Sequence, residues 1–172
     1  MPASVISSRY GAFDPAAPPS LPGLFPAIVQ APPVTIRASR ESAWQVLADF
    51  PAYEAWCPFT RGIQCSGILG EPVLLSLRWD ERLTAATQQQ TEVLQVWEPG
   101  KAMGWGLNWA AGALRAERLQ WIENLENGTI RYHTYDRFSG TLAPIVLALY
   151  GKRITRGFML VGQALKQQLE SA

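Results

Sequence analysis

The chain has 172 residues, 48% hydrophobic and 17% charged, which is enough apolar content for the core of one ordinary domain and too much for a disordered chain. Fifteen Lys and Arg against 14 Asp and Glu leave a net charge of +1, which argues against nucleic-acid binding by bulk charge and leaves only a local patch. One His and two Cys exclude a His-rich or Cys-rich metal centre and any disulfide framework, and no apolar run reaches the ~20 residues of a membrane span.

The first residues lack the basic start and apolar stretch of a signal peptide. The expected location is therefore cytoplasmic, with Cys57 and Cys65 reduced. Residues 1–33 carry eight of the 13 prolines and only two charges, Arg9 and Asp14. Proline removes backbone donors and blocks helix, so 1–26 reads as an irregular or extended arm ahead of a domain over 27–172. The alternative is an arm that packs on its own domain or a partner through Tyr10, Phe13, Leu21, Leu24 and Phe25.

Val34-Thr35-Ile36-Arg37 alternates as the end of a first strand. Ser39 is a natural N-cap for a helix whose apolar positions are Ala43, Trp44, Val46, Leu47 and Phe50, and Pro51 stops it. A second short turn of helix fits Ala52 to Trp56. Strands follow at Ile63–Ile68, Val73–Trp79 and Gln88–Trp97, the last ended by Glu98-Pro99-Gly100. In the next strand Met103, Trp105, Leu107 and Trp109 make a face of large side chains opposite one of small residues. Leu114–Leu125 and Thr129–Phe138 flank Asn127-Gly128, a strong hairpin signal that also matches a glycosylation sequon, for which the hairpin is the better reading. A long helix closes the chain from Thr141, a candidate cap, with Pro144 in its first turn. Its apolar stripe is Leu142, Ile145, Leu149, Ile154, Phe158, Val161, Leu165 and Leu169, interrupted by Gly151, Gly157 and Gly162.

Strand, two short helices, an antiparallel run and a long C-terminal helix make an α+β order. That order resembles the helix-grip fold of the START-like (SRPBCC) superfamily. The stretch from Val34 through Trp44, Asp49 and Tyr53 to Trp56-Cys57-Pro58 is similar to the opening of its polyketide cyclase/dehydrase-like branch. Phe138-Ser139-Gly140-Thr141-Leu142-Ala143-Pro144, then Arg156-Gly157-Phe158 and Ala164-Leu165-Lys166, resembles the close of that branch. The resemblance spans about residues 28–170. Two positions depart from it, Arg118 standing where relatives carry His and Asp136 where they carry Glu. It implies a curved antiparallel sheet of six to seven strands wrapped around the C-terminal helix, with room for a cavity between them.

A two-residue loop at Asn127-Gly128 pairs Glu126 with Thr129. That register sets Leu125, Glu123, Trp121, Leu119 and Glu117 on one face with Ile130, Tyr132, Thr134, Asp136 and Phe138. The other face holds Asn124, Ile122, Gln120 and Arg118 with Arg131, His133, Tyr135 and Arg137. The first set is the more apolar and is expected to face the long helix. Candidate cavity residues are then Trp56, Leu77, Trp79, Trp105, Leu107 and Trp109, with Leu119, Trp121, Tyr132, Thr134 and Phe158. Glu117 and Asp136 are anomalous carboxylates on an apolar face. With Tyr132 they are the candidate acid/base groups; the plainer reading makes the two carboxylates solvated rim residues or partners of Arg from the long helix.

His133 is expected on the outer surface, and Lys152, Arg153 and Arg156 form a solvated face or a peripheral membrane contact. No Gly-rich phosphate loop and no metal-ligand spacing occurs, and nothing calls for a cofactor. The expected function is binding, with or without transport, of a small hydrophobic or lipid-like molecule. The alternatives are a polyketide cyclase/dehydrase-type enzyme, and an interaction module with a filled cavity and a Pro-rich docking arm.

Overall fold

The computed structural model describes residues 6–8, 11–13, 22–79 and 87–171. Eight strands form one antiparallel sheet: β3 (Ala27–Gln30), β4 (Val34–Ile36), β5 (Thr60–Cys65), β6 (Pro72–Leu77), β7 (Gln88–Glu98), β8 (Ala102–Trp109), β9 (Leu114–Asn124) and β10 (Ile130–Ser139). Their order is β3-β10-β9-β8-β7-β6-β5, with β4 also paired to β10. The expected first strand is thus two pieces on one edge, β3 and β4, separated by Ala31-Pro32-Pro33, because proline cannot donate to a ladder.

Helix α1 (Arg40–Ala48) starts where Ser39 Oγ accepts from the backbone N–H of Ser42 at 3.0 Å. A 3-10 turn at Phe50-Pro51-Ala52 leads into α2 (Tyr53–Trp56). Helix α3 (Ala143–Glu170) lies against the sheet and buries Ile154, Phe158, Val161 and Leu165. Its N-cap is Leu142, without a side-chain bond, rather than Thr141. Ile145 and Leu149, expected on its apolar stripe, are 57% and 64% exposed. The buried stripe runs back from Ile154 through half-buried Val146 and Leu147 to Ala143. Two glycines let α3 sit close: a Cβ on Gly157 would stand 2.6 Å from the Phe59 ring, and one on Gly162 2.8 Å from Val34. No helix among the described residues is long and apolar enough to cross a membrane.

Part of residues 1–26, expected to be irregular, pairs as a short hairpin of β1 (Ile6–Ser8) and β2 (Gly11–Phe13), and β1 runs beside β7. Pro2, Pro15, Pro18, Pro19, Tyr10 and Leu21 lie outside the described residues, and Leu24 and Phe25 are exposed. Where the arm joins the domain, Arg115 and the Ser139 hydroxyl both donate to the Pro22 carbonyl at 2.9 Å.

The β9–β10 register differs from the expected one. Leu125 N–H bonds the Thr129 carbonyl, so the loop is Glu126-Asn127-Gly128, three residues long. Ile130 then lies opposite Asn124, Tyr132 opposite Ile122, Thr134 opposite Gln120 and Asp136 opposite Arg118. A slip of one residue turns every side chain of a strand over. On β10 the expected face holds. On β9, Ala116, Arg118, Gln120 and Ile122 share the face toward α3, while Glu117, Leu119 and Trp121 point the other way.

The main core lies between sheet and helices and includes Ile36, Leu47, Leu75, Leu94, Trp105, Tyr132, Phe158 and Leu165. Each such side chain, fully buried, contributes ~1.5–3 kcal/mol of apolar transfer. A second buried cluster on the far face joins Val96, Ala102, Leu119, Trp121 and Tyr135. Trp97 faces the main core, its ring 5.3 Å from Trp44 and 6.0 Å from Phe50, because the β7–β8 loop also has three residues.

Candidate functional site

Strand alternation brings Gln88, Gln90 and Glu92 of β7, Leu107 of β8, Leu114 and Ala116 of β9, and Asp136 and Phe138 of β10 under the N-terminal half of α3. There the helix does not fill the sheet. A half-open cavity of about 230 Å³ remains, lined on the helix side by Val146, Tyr150 and Ile154 and also by Trp79. Its size lies just below the ~300–1,000 Å³ usual for small-molecule sites. Most of its wall is apolar, and its polar groups gather on the sheet. Trp79 is held by edge-on contacts with Phe59 at 5.4 Å and Tyr150 at 6.0 Å.

Glu92 is 8% exposed, and Gln90 Nε2 donates to its Oε1 at 2.6 Å. Burial pushes its carboxyl up to about 7, against the opposing pull of Arg118 and of the Gln90 hydrogen bond. Asp136 is pushed well above the usual carboxylate range, first by burial and next by the charge of Glu92; Arg118 acts against both. The Asp136 Oδ1 atom is sealed from solvent and accepts no hydrogen bond. The charge of Glu92 raises the proton affinity of Asp136, so the Asp136 carboxyl does not titrate independently of its neighbour.

Beside the cavity, toward the middle of α3, the same face is packed. Arg118 lies cross-strand from Asp136, its guanidinium 4.5 Å from the centre of the Phe158 ring and 5.8 Å from that of Trp105. It donates to Gln120 Oε1 at 3.3 Å and, at 3.5 Å, to Thr134 Oγ1. Tyr132 donates its hydroxyl to the same Gln120 oxygen at 2.6 Å, and burial pushes the phenol up to about 12. The Cys57 thiol is buried, accepts from Thr60 N–H and is pushed up by burial, which suppresses thiolate.

The sequence candidates therefore separate. Trp79, Leu107 and Asp136 line the cavity. Trp105, Tyr132, Thr134 and Phe158 belong to the packed face beside it, and Leu77 to the core. Trp56 borders a different recess, between α2 and the end of α3. Trp109, at the end of β8, is 60% exposed. Leu119, Trp121 and Glu117 lie on the opposite face, where Glu117 is buried against Arg137. There burial raises the Glu117 carboxyl and Arg137 holds it down. His133 is also on that face, stacked on Trp121 with ring centres 4.4 Å apart and bonded to Glu123 at 2.9 Å. Glu92 was missed, although Gln88-x-Gln90-x-Glu92 carries a signal: polar residues occupy the side of β7 that Leu94 continues into the core. Among the described residues no three His, Cys, Asp or Glu gather in a way that could hold a metal ion.

Residues 29–170 match the family model described as polyketide cyclase / dehydrase and lipid transport. No curated protein matches the sequence significantly. Among solved structures, a START superfamily protein from Mycobacterium smegmatis is similar with a TM-score of 0.61 at 16% identity, over 84% of this chain and 97% of that one. The Zhui aromatase/cyclase from Streptomyces sp. R1128 gives 0.62 at 15% identity, over 84% and 94%. A protein from Mesorhizobium loti gives 0.58 at 20% identity, over 86% and 98%. At these identities the likeness is one of fold: an open antiparallel sheet wrapped around a long C-terminal helix.

Proposed function

Because the chain belongs to the polyketide cyclase / dehydrase and lipid transport family, we propose that it binds a small, largely apolar molecule between the sheet and α3. One observation carries this reading: the space under the N-terminal half of α3 is walled by Trp79, Leu107, Phe138, Val146 and Ile154 and carries its few polar groups together on one side. That is the usual make-up of a ligand site, with apolar walls for affinity and a few placed polar groups for orientation. The test uses a neutral apolar dye, N-phenyl-1-naphthylamine, with Ala116→Phe, which would fill the cavity from the sheet side. The wild-type chain should bind the dye and the variant should bind it about tenfold more weakly or worse. Equal binding by a folded variant refutes the site. Native mass spectrometry of protein from its own host then identifies what the cavity carries.

A second reading, catalysis of the cyclase/dehydrase kind, is favoured by one feature, the Glu92 carboxyl poised at about 7 beside Asp136. A general acid or base works best with a proton affinity near the working pH. In that reading Glu92 and Asp136 carry the proton. Tyr132 is tied to Gln120 and Glu117 faces away, so neither serves.

A further inference from the structure

The polar groups of the cavity are unequal in kind. Glu92 and Asp136 are acceptors when ionised, and Asp136 Oδ1 has nothing to accept from. The Gln90 amide is already engaged with Glu92. The nearby cation, Arg118, makes its hydrogen bonds to Gln120 and Thr134 and lies over Phe158. With both carboxyls ionised, Arg118 is the one cation beside them among the described residues, which leaves the pair short of positive charge and of donors.

We propose that the ligand is an amphipathic amine, whose apolar part lies along Trp79, Leu107, Val146 and Ile154 and whose ammonium enters between Glu92 and Asp136. This rests on the reading of the cavity as a ligand site. An ammonium brings three donors and the missing charge, so both carboxyls can be ionised when it binds. A hydroxyl brings one donor and no charge. A carboxylate or phosphate brings further acceptors and negative charge against two carboxyls, and is disfavoured. The groups facing the pair are Gln88 and Gln90 from β7, Arg118 from β9 and Tyr150 from α3, with Glu117 and Arg137 behind the sheet. Among the described residues the next cation is Arg153, exposed on α3 and 5.8 Å from the centre of the Tyr150 ring.

The test is calorimetric titration of the full chain at about pH 8 with octylamine, octanol and octanoate, which share one tail and differ in head group. Octylamine should bind about tenfold or more tighter than octanoate, with octanol between them. Glu92→Gln and Asp136→Asn should each narrow the gap between amine and alcohol, and so should lowering the pH to about 5.5, where the carboxyls take up protons. Octanoate binding as tightly as octylamine, or octanol as tightly as octylamine, overturns the amine assignment and leaves the apolar site standing. Failure of all three to bind removes both.

Discussion

Glu92→Gln should stabilise the folded chain, and only at the upper end of the pH range. The wild-type carboxyl is 8% exposed and held at about 7 by burial, against an ordinary 4.5. A group whose folded value is raised prefers its proton in the folded state. Its contribution is fully present below about pH 4.5 and is lost as pH rises through about 7. Moving from 4.5 to about 7, at about 1.4 kcal/mol per pH unit, puts the loss at ~3 kcal/mol. Glutamine keeps the shape and can still accept from Gln90, but it cannot ionise. The variant should match wild type near pH 4 and exceed it by up to ~3 kcal/mol at pH 8. Relief of Asp136 from the charge of Glu92 acts in the same direction, since its raised carboxyl then costs the folded chain less at high pH. Urea unfolding followed by Trp emission at several pH values measures the difference directly. An offset independent of pH, or a variant less stable at pH 8, would show that Glu92 is not desolvated in the way its surroundings require.

Further outcomes separate the cavity from the packed parts of the chain. Gly157→Ala should cost ~1–3 kcal/mol by forcing a methyl into the Phe59 ring, whereas Gly151→Ala, whose nearest neighbour is 4.0 Å away, should gain up to ~1 kcal/mol; thermal unfolding that moves both the same way refutes the packing of α3. Trp121→Ala should destabilise by ~3–5 kcal/mol without changing the binding of a neutral dye, because its ring packs on the far face, and a loss of dye binding in a folded variant would contradict the register. Trp79→Ala should do the reverse, weakening the dye at small cost in stability. Glu117→Gln should leave dye affinity within about twofold of wild type, since it lies across the sheet from the cavity; a larger change would reopen its candidacy.

Much of this architecture was legible because its signals are local. Ser39 caps α1 as its side chain dictates, Pro51 ends that helix, and the order of elements carried the family resemblance. The face assignment failed at one place for a physical reason. Asn127-Gly128 announces a turn, with φ of 65° and 70°, but does not say whether two or three residues close it. Choosing the more apolar side of β9 as the core side could not correct this, because β9 is buried on both faces from Ala116 to Ile122. Polarity misled further, since Arg118 and Gln120 look like surface residues and are instead buried on the face toward α3. In α3 the same conflict appears in reverse, with Ile145 and Leu149 apolar and exposed next to the cavity-lining Val146 and Tyr150. Patterning rules place polar groups outside and apolar groups inside, and departures from them gather where a protein binds something. Here the departures gather on one stretch of sheet and helix. Glu92 has only the Gln90 amide for a donor and Asp136 Oδ1 has none, a cost of burial that is the strongest physical reason to expect a ligand that supplies donors.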